Sequence, residues 1–207
     1  EYLGSMQFPN GSNNRVFASA DRAVIAIWND QPTEEIIYLG DVEDVQVVDV
    51  WGRIVRPESQ VVDGVVRQRI KVDRLPVFVI NANLPIAKWR LNCSLDRTRL
   101  KSKFGWQQTV RLRFGNYFGQ GVSGKLALKT PNVWSVSPQE VRFKSSTDEH
   151  KDIPIDVFLQ ANATSGDQSI RVDFKILSEK VHQFSVYRTI HVGMGDVTFE
   201  FSTYVDE

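Results

Sequence analysis

Apolar residues recur at every second position through much of this chain. In SIRVDFKI (169–176), Ile170, Val172, Phe174 and Ile176 share one face, and Arg171, Asp173 and Lys175 take the other. That period marks a half-buried antiparallel strand. TVRLRF (109–114) repeats it with Val110, Leu112 and Phe114, and VTFEFSTYV (197–205) with Val197, Phe199, Phe201 and Val205. IPIDVFL (153–159) aligns Ile153, Ile155, Val157 and Leu159. Its Pro154 has no N–H to give a ladder, which predicts a strand start or an edge. In the N-terminal half, AVIAIW (23–28) and VFVI (77–80) are apolar on both faces, as in strands covered from both sides. IIYLG (36–40), VQVVDVW (45–51), RQRIKV (67–72) and IAKWRL (86–91) read as further short strands. Turn signals separate them: Asn29-Asp30-Gln31-Pro32, Gly40-Asp41, Gly52, Asp63-Gly64 and Leu75-Pro76. No window carries a capped helical stripe, so little helix is expected beyond a turn near 92–98. The spacing predicts an all-β chain of two tandem antiparallel β-sandwich, Ig-like domains.

The polar, charged segment NCSLDRTRLKSKFGWQQ (92–108) divides two sets of strands of similar size. It sets the expected domains at 7–95 and 96–207, with the seam exposed between them. The opening EYLGSM reads as a non-native leader, with Met6 as a cloning start. Lys+Arg and Asp+Glu balance at 25 each, which gives no bulk argument for nucleic acid or an anionic membrane. No apolar run reaches the length of a membrane span, and no signal peptide is visible. Cys93 is the only cysteine, so no intramolecular disulfide and no thiolate zinc site can form. The sequons at Asn10, Asn92 and Asn162 matter only in a eukaryotic secretory path.

Candidate chemistry is sparse. VVDVWGR (47–53) runs as a strand, meets Asp49 and Trp51, and breaks at Gly52. A bulge before the corner accounts for the shift in apolar register. Trp51 is then expected to lie flat across the end of the sandwich, with Arg53 in solvent. Asp41, Glu43 and Asp44 lack the spacing of a calcium loop and read as a solvated hairpin. A glycosidase pair needs two carboxylates facing across a cleft, and no such cleft is expected. None of His150, His182 and His191 has a second histidine at metal-binding spacing, and His191 falls on an outward register. There is no G-x-S-x-G elbow, and Cys93 has no identifiable basic partner. FGNYFGQGVSG (114–124) lacks the Lys-Ser/Thr of a phosphate loop. Arg97, Arg99, Lys101 and Lys103 alternate in RTRLKSK as a solvated cationic face. Trp106, Tyr117 and Phe118 stand in glycine-bearing segments and are the candidate carbohydrate-binding residues, because loop aromatics reach solvent. No metal or cofactor site is read from the chain.

Two stretches resemble known families. FASADRAVIAIWND, EEIIYLGDVEDVQVVDVWGR and RQRIKVDRLPVFVINA, within residues 16–82, resemble the small C-terminal β-sandwich of many retaining glycoside hydrolases. The C-terminal half, through TPNVWSVSPQEVRF and IPIDVFLQANAT, resembles the NEW3-type Ig-like modules of bacterial carbohydrate-active proteins. Trp134, Pro138 and Val141 occupy that pattern, and Asn132-Val133 replaces its usual glycine. Neither family carries catalytic residues. The resemblance implies a non-enzymatic accessory or scaffold module of a larger secreted or cell-surface bacterial protein. Its expected partner is a catalytic or neighbouring domain of the same polypeptide, with polysaccharide binding and adhesion or protein interaction as alternatives.

Overall fold

A computed structural model describes residues 1–41 and 43–193; the strand expected at 197–205 lies outside them. The N-terminal half runs β1 (Tyr2–Gly4), β2 (Asn13–Ser19), β3 (Arg22–Trp28), β4 (Thr33–Ile37), β5 (Gln46–Val48), β6 (Ile54–Val55), β7 (Glu58–Val62), β8 (Val65–Val72) and β9 (Val77–Asn83). One helix follows, α1 (Leu84–Asn92). The C-terminal half runs β10 (Ser94–Leu95), β11 (Arg99–Lys101), β12 (Gln107–Gly115), β13 (Val122–Lys129), β14 (Trp134–Ser137), β15 (Glu140–Ser145), β16 (His150–Leu159), β17 (Gly166–Leu177) and β18 (Val181–Gly193). The first sandwich packs a sheet in the order β1-β2-β3-β9-β5-β6 against β4-β8-β7. The second packs β10-β12-β16-β14 against β11-β18-β17-β13-β15. Among the described strands pairing is antiparallel except for β11 on β18, which run parallel; the isolated bridge of Phe104 with Leu159 is also parallel. The fold is all-β, built of antiparallel sandwiches. The alternating residues face inward as their period requires: Ile170, Val172, Phe174 and Ile176 are all buried.

IAKWRL is not a strand. It lies in α1, because Asn83 caps the helix through Oδ1, accepting the Ile86 N–H at 3.0 Å, and Pro85 occupies the first turn, where a missing N–H costs nothing. Apolar residues then form two separate helical stripes. Leu84, Ala87 and Leu91 pack on the first core, while Ile86, Trp89 and Cys93 belong to the second. A helix clasped between two cores shows no one-sided apolar stripe, which is why its period reads poorly. Trp89 is fully buried and centres an aromatic cluster, with Phe114 and Phe174 each 5.4 Å away and Phe184 at 6.0 Å.

Other expectations also change. The charged seam is no free linker: β10 joins one sheet of the second sandwich and β11 the other, so this segment crosses between its layers. The opening residues belong to the fold, since Tyr2–Gly4 pairs with β2 and Met6 is buried in the first core. Pro154 sits inside β16, where the β14 ladder has already ended at Ser137 opposite Asp156, so β16 has a free side there. No bulge precedes the 49–53 corner. Val45 and Val47 are buried, Val48 is half-buried, and Val50 is exposed on plain alternation.

The two sandwiches meet around α1. Arg90 is buried and donates through Nε to the Ser185 carbonyl at 3.1 Å. Its guanidinium also stands 5.4 Å over the Phe184 ring. Burial pulls its pKa down to about 9. Tyr38 Oη lies 3.0 Å from Nδ1 of His182. Burial pushes the Tyr38 hydroxyl up to about 12 and the His182 imidazole down, so burial favours the neutral form of both partners. Ion pairs Asp41–Lys180 and Asp63–Arg171 and the Gln7–Thr189 hydrogen bond flank this contact.

Candidate functional site

The β5–β6 corner is a three-residue hairpin connection, Val50–Gly52, in which a turn is followed by a left-handed glycine. Gly52 N–H donates to the Asp49 carbonyl at 3.0 Å, and Gly52 takes φ 83°, a conformation that favours glycine. Asp49 fixes the rest. Its Oδ1 accepts the Trp51 N–H at 2.9 Å and the Arg53 N–H at 3.0 Å, and its Oδ2 accepts Arg53 Nε at 2.6 Å. Desolvation raises the Asp49 carboxyl, but the Arg53 backbone and guanidinium and the Trp51 N–H outweigh it, holding the pKa below its ordinary value.

This turn thrusts Trp51 outward. It is 68% exposed, not laid across the sandwich end, and the Arg53 guanidinium stands 5.5 Å over its ring. Beside it lies a cleft of about 530 Å³, walled by Pro32, Val50, Trp51, Leu75 and Pro76. Val50, Ile54, Val55 and Leu75 are exposed around the same corner. Asp49, Arg53, Lys71 and Asp73 give the cleft a polar border. It opens where β4 and β9 begin and β8 ends. The contacts with the second sandwich fall at the opposite end of β4, near Tyr38 and Asp41. An apolar patch with a polar rim is the usual form of a contact surface.

The three loop aromatics do not assemble. Trp106 is 68% exposed with the Lys103 ammonium 5.6 Å over its ring. Tyr117 is half-buried, edge-on to His150 at 6.2 Å. Trp106 and Tyr117 flank opposite ends of the nine-residue strand β12, about 30 Å apart at strand rise. Phe118 is 7% exposed and packs on His182 at 5.2 Å and Trp89 at 6.3 Å, so it belongs to the domain junction. Trp51 is the exposed aromatic that pattern reasoning turned inward. Its signal was present in the Asp at the first turn position and the Gly at the fourth, which place Trp51 at the tip.

Asp41 pairs with Lys180, and Asp44 with Arg22 at 3.2 Å. Cys93 is buried, and desolvation pushes its thiol up to about 12. His191 is exposed, with Nδ1 2.9 Å from Asp167 Oδ1. Arg99 and Lys101 are exposed on β11 while Leu100 between them is buried. Among the described residues no three His, Cys, Asp or Glu side chains gather as a metal site. No helix there is long and apolar enough to cross a membrane.

The strand order and these surfaces define a protein of two all-β sandwich domains with an exposed tryptophan turn. No family model matches the chain, and no curated protein sequence matches it. Among solved structures, the crystal structure of the periplasmic chaperone SfaE is similar over 48% of this chain, at 14% identity and a TM-score of 0.28. The chain spans about half of that chaperone, 53% of its length.

Proposed function

We propose that this chain is a non-catalytic accessory module that docks a neighbouring domain or partner protein through the Trp51 end of its first sandwich. The observation that carries this reading is Trp51 itself: a large aromatic side chain held in solvent by a turn that Asp49 fixes with three hydrogen bonds, beside an apolar cleft. Rigid, exposed aromatics of this kind anchor interfaces, because they bury much area at little entropic cost. The resemblance of both halves to accessory modules of carbohydrate-active proteins supports the same reading, and with it a secreted or cell-surface bacterial setting. The carboxylates that line the cleft are engaged locally, Asp49 in its own turn, Glu34 with Arg69 at 3.2 Å and Asp73 with the Arg74 N–H at 2.7 Å, and this supports a role without hydrolysis.

A second reading has one observation in its favour. A lone exposed tryptophan with a polar border also suits stacking against a sugar ring. Tryptophan fluorescence separates the two. Neutral oligosaccharides are expected to leave the emission of the wild type unchanged, and a panel of aryl-glycosides and polysaccharides is expected to show no turnover. Saturable quenching lost in Trp51→Ala, with Trp106→Ala unaffected, overturns docking in favour of sugar binding. Turnover abolished by mutating Asp41, Glu43, Asp44 or Asp49 overturns the non-catalytic reading, because even weak enzymatic hydrolysis stands far above background.

A further inference from the structure

The outer face of the second sandwich carries a row of like charges. Lys125 on β13 lies directly opposite Arg142 on β15 and directly opposite Lys175 on β17. All three are exposed. The next row along the strands places Lys144 opposite Ser123, Ser123 opposite Leu177, and Leu177 opposite Val181. Neighbouring strands are about 4.8 Å apart, so the three cations of the first row span about 10 Å. Like charges directly opposite each other on adjacent strands destabilise a sheet. Glu140 stands 3.8 Å from Lys125. Among the described residues, no carboxylate lies within ion-pairing distance of Arg142, Lys144 or Lys175.

An apolar ledge adjoins the row. Leu177 and Val181 are 51% and 49% exposed. Together with the charged row they border a hollow of about 500 Å³. Gly124 forms part of its floor. A Cβ there would stand 2.6 Å from the Lys175 carbonyl oxygen and 3.0 Å from the Phe143 ring; the bare backbone lets strand and ring close up beneath the row. Exposed aromatic rings, which stack bases in single-strand nucleic-acid grooves, are missing from this hollow's lining: its one ring, Phe143, is 9% exposed.

We propose that this face binds an amphipathic anion. Its carboxylate, sulfate or phosphate head sits on Arg142, Lys125, Lys175 and Lys144, and its apolar body lies along Leu177 and Val181. The head offsets the repulsion within the row, and the body covers the two exposed aliphatic side chains. The site is on the other sandwich from Trp51, so its test is independent of the docking reading.

The test uses octyl sulfate below its micelle concentration, with inorganic sulfate and octanol as separate arms, each followed by calorimetric titration of the full chain. Octyl sulfate is expected to bind saturably, at least tenfold more tightly than either arm, and more weakly as salt rises. The double variant Lys125→Gln, Lys175→Gln is expected to lose at least tenfold in affinity. Its unfolding midpoint without ligand is expected to rise, since the like-charge row is relieved. That rise also shows that the variant is folded. Leu177→Asn is expected to weaken octyl sulfate and leave inorganic sulfate unchanged. Octyl sulfate binding no tighter than inorganic sulfate, or equal binding by wild type and double variant, overturns the proposal. A lowered midpoint in the double variant shows that the row is not repulsive and overturns its physical basis.

Discussion

Both carboxylate oxygens of Asp49 are committed to its own turn, and that is why Trp51 points into solvent in a fixed direction. Asp49→Ala removes three hydrogen bonds from the corner. The Trp51 and Arg53 amides are then expected to exchange with solvent faster, while the core strands keep their protection. Unchanged exchange at both amides contradicts the role given to Asp49. Acid acts in the same direction. The Asp49 pKa is depressed on folding, so its contribution is fully present above the ordinary carboxylate value of about 3.9 and is lost as pH falls through the depressed value. Trp51 was the residue least well read from sequence. An apolar side chain after an alternating strand is expected to turn inward, yet the turn's own hydrogen bonds outrank that preference. Phe118 shows the converse. Its glycine-rich surroundings suggest exposure, but His182 and Trp89, both far away in sequence, cover it.

Among the elements, α1 is where local pattern and tertiary role diverge most. Its two apolar stripes serve two cores, so neither stands out along the chain, and the Asn83 cap with Pro85 behind it went unread as a helix start. Trp89 is the largest side chain that α1 buries in the second core. Trp89→Ala is expected to cost about 3–5 kcal/mol, the range for emptying a buried aromatic site. Urea unfolding followed by circular dichroism is expected to change from one transition to two as the sandwiches uncouple. A single transition with a loss below about 1 kcal/mol contradicts the clasp. The long strands β12, β16, β17 and β18 were legible because one face of each is buried and period two survives over their length. The short β10 and β11 were not, since two or three residues cannot show a period, and their charged outward side chains read as linker.

At the scale of the whole molecule, two all-β sandwiches could be inferred from strand spacing alone. Their attachment could not, because Asp41–Lys180, Asp63–Arg171 and Tyr38–His182 join residues more than 100 positions apart. The cationic row likewise exists only once register is set, since Lys125, Arg142 and Lys175 are unremarkable in sequence. The attachment joins two small domains and leaves the Trp51 cleft at the end away from their contact, where docking is proposed. The most direct test of docking is a selection of displayed random peptides on the native protein, followed by calorimetric titration of the enriched peptides. They are expected to be apolar and aromatic, to bind the wild type and Trp106→Ala equally, and to lose at least tenfold in affinity on Trp51→Ala while its melting temperature is unchanged. Enriched peptides that bind Trp51→Ala as tightly as the wild type contradict docking at Trp51.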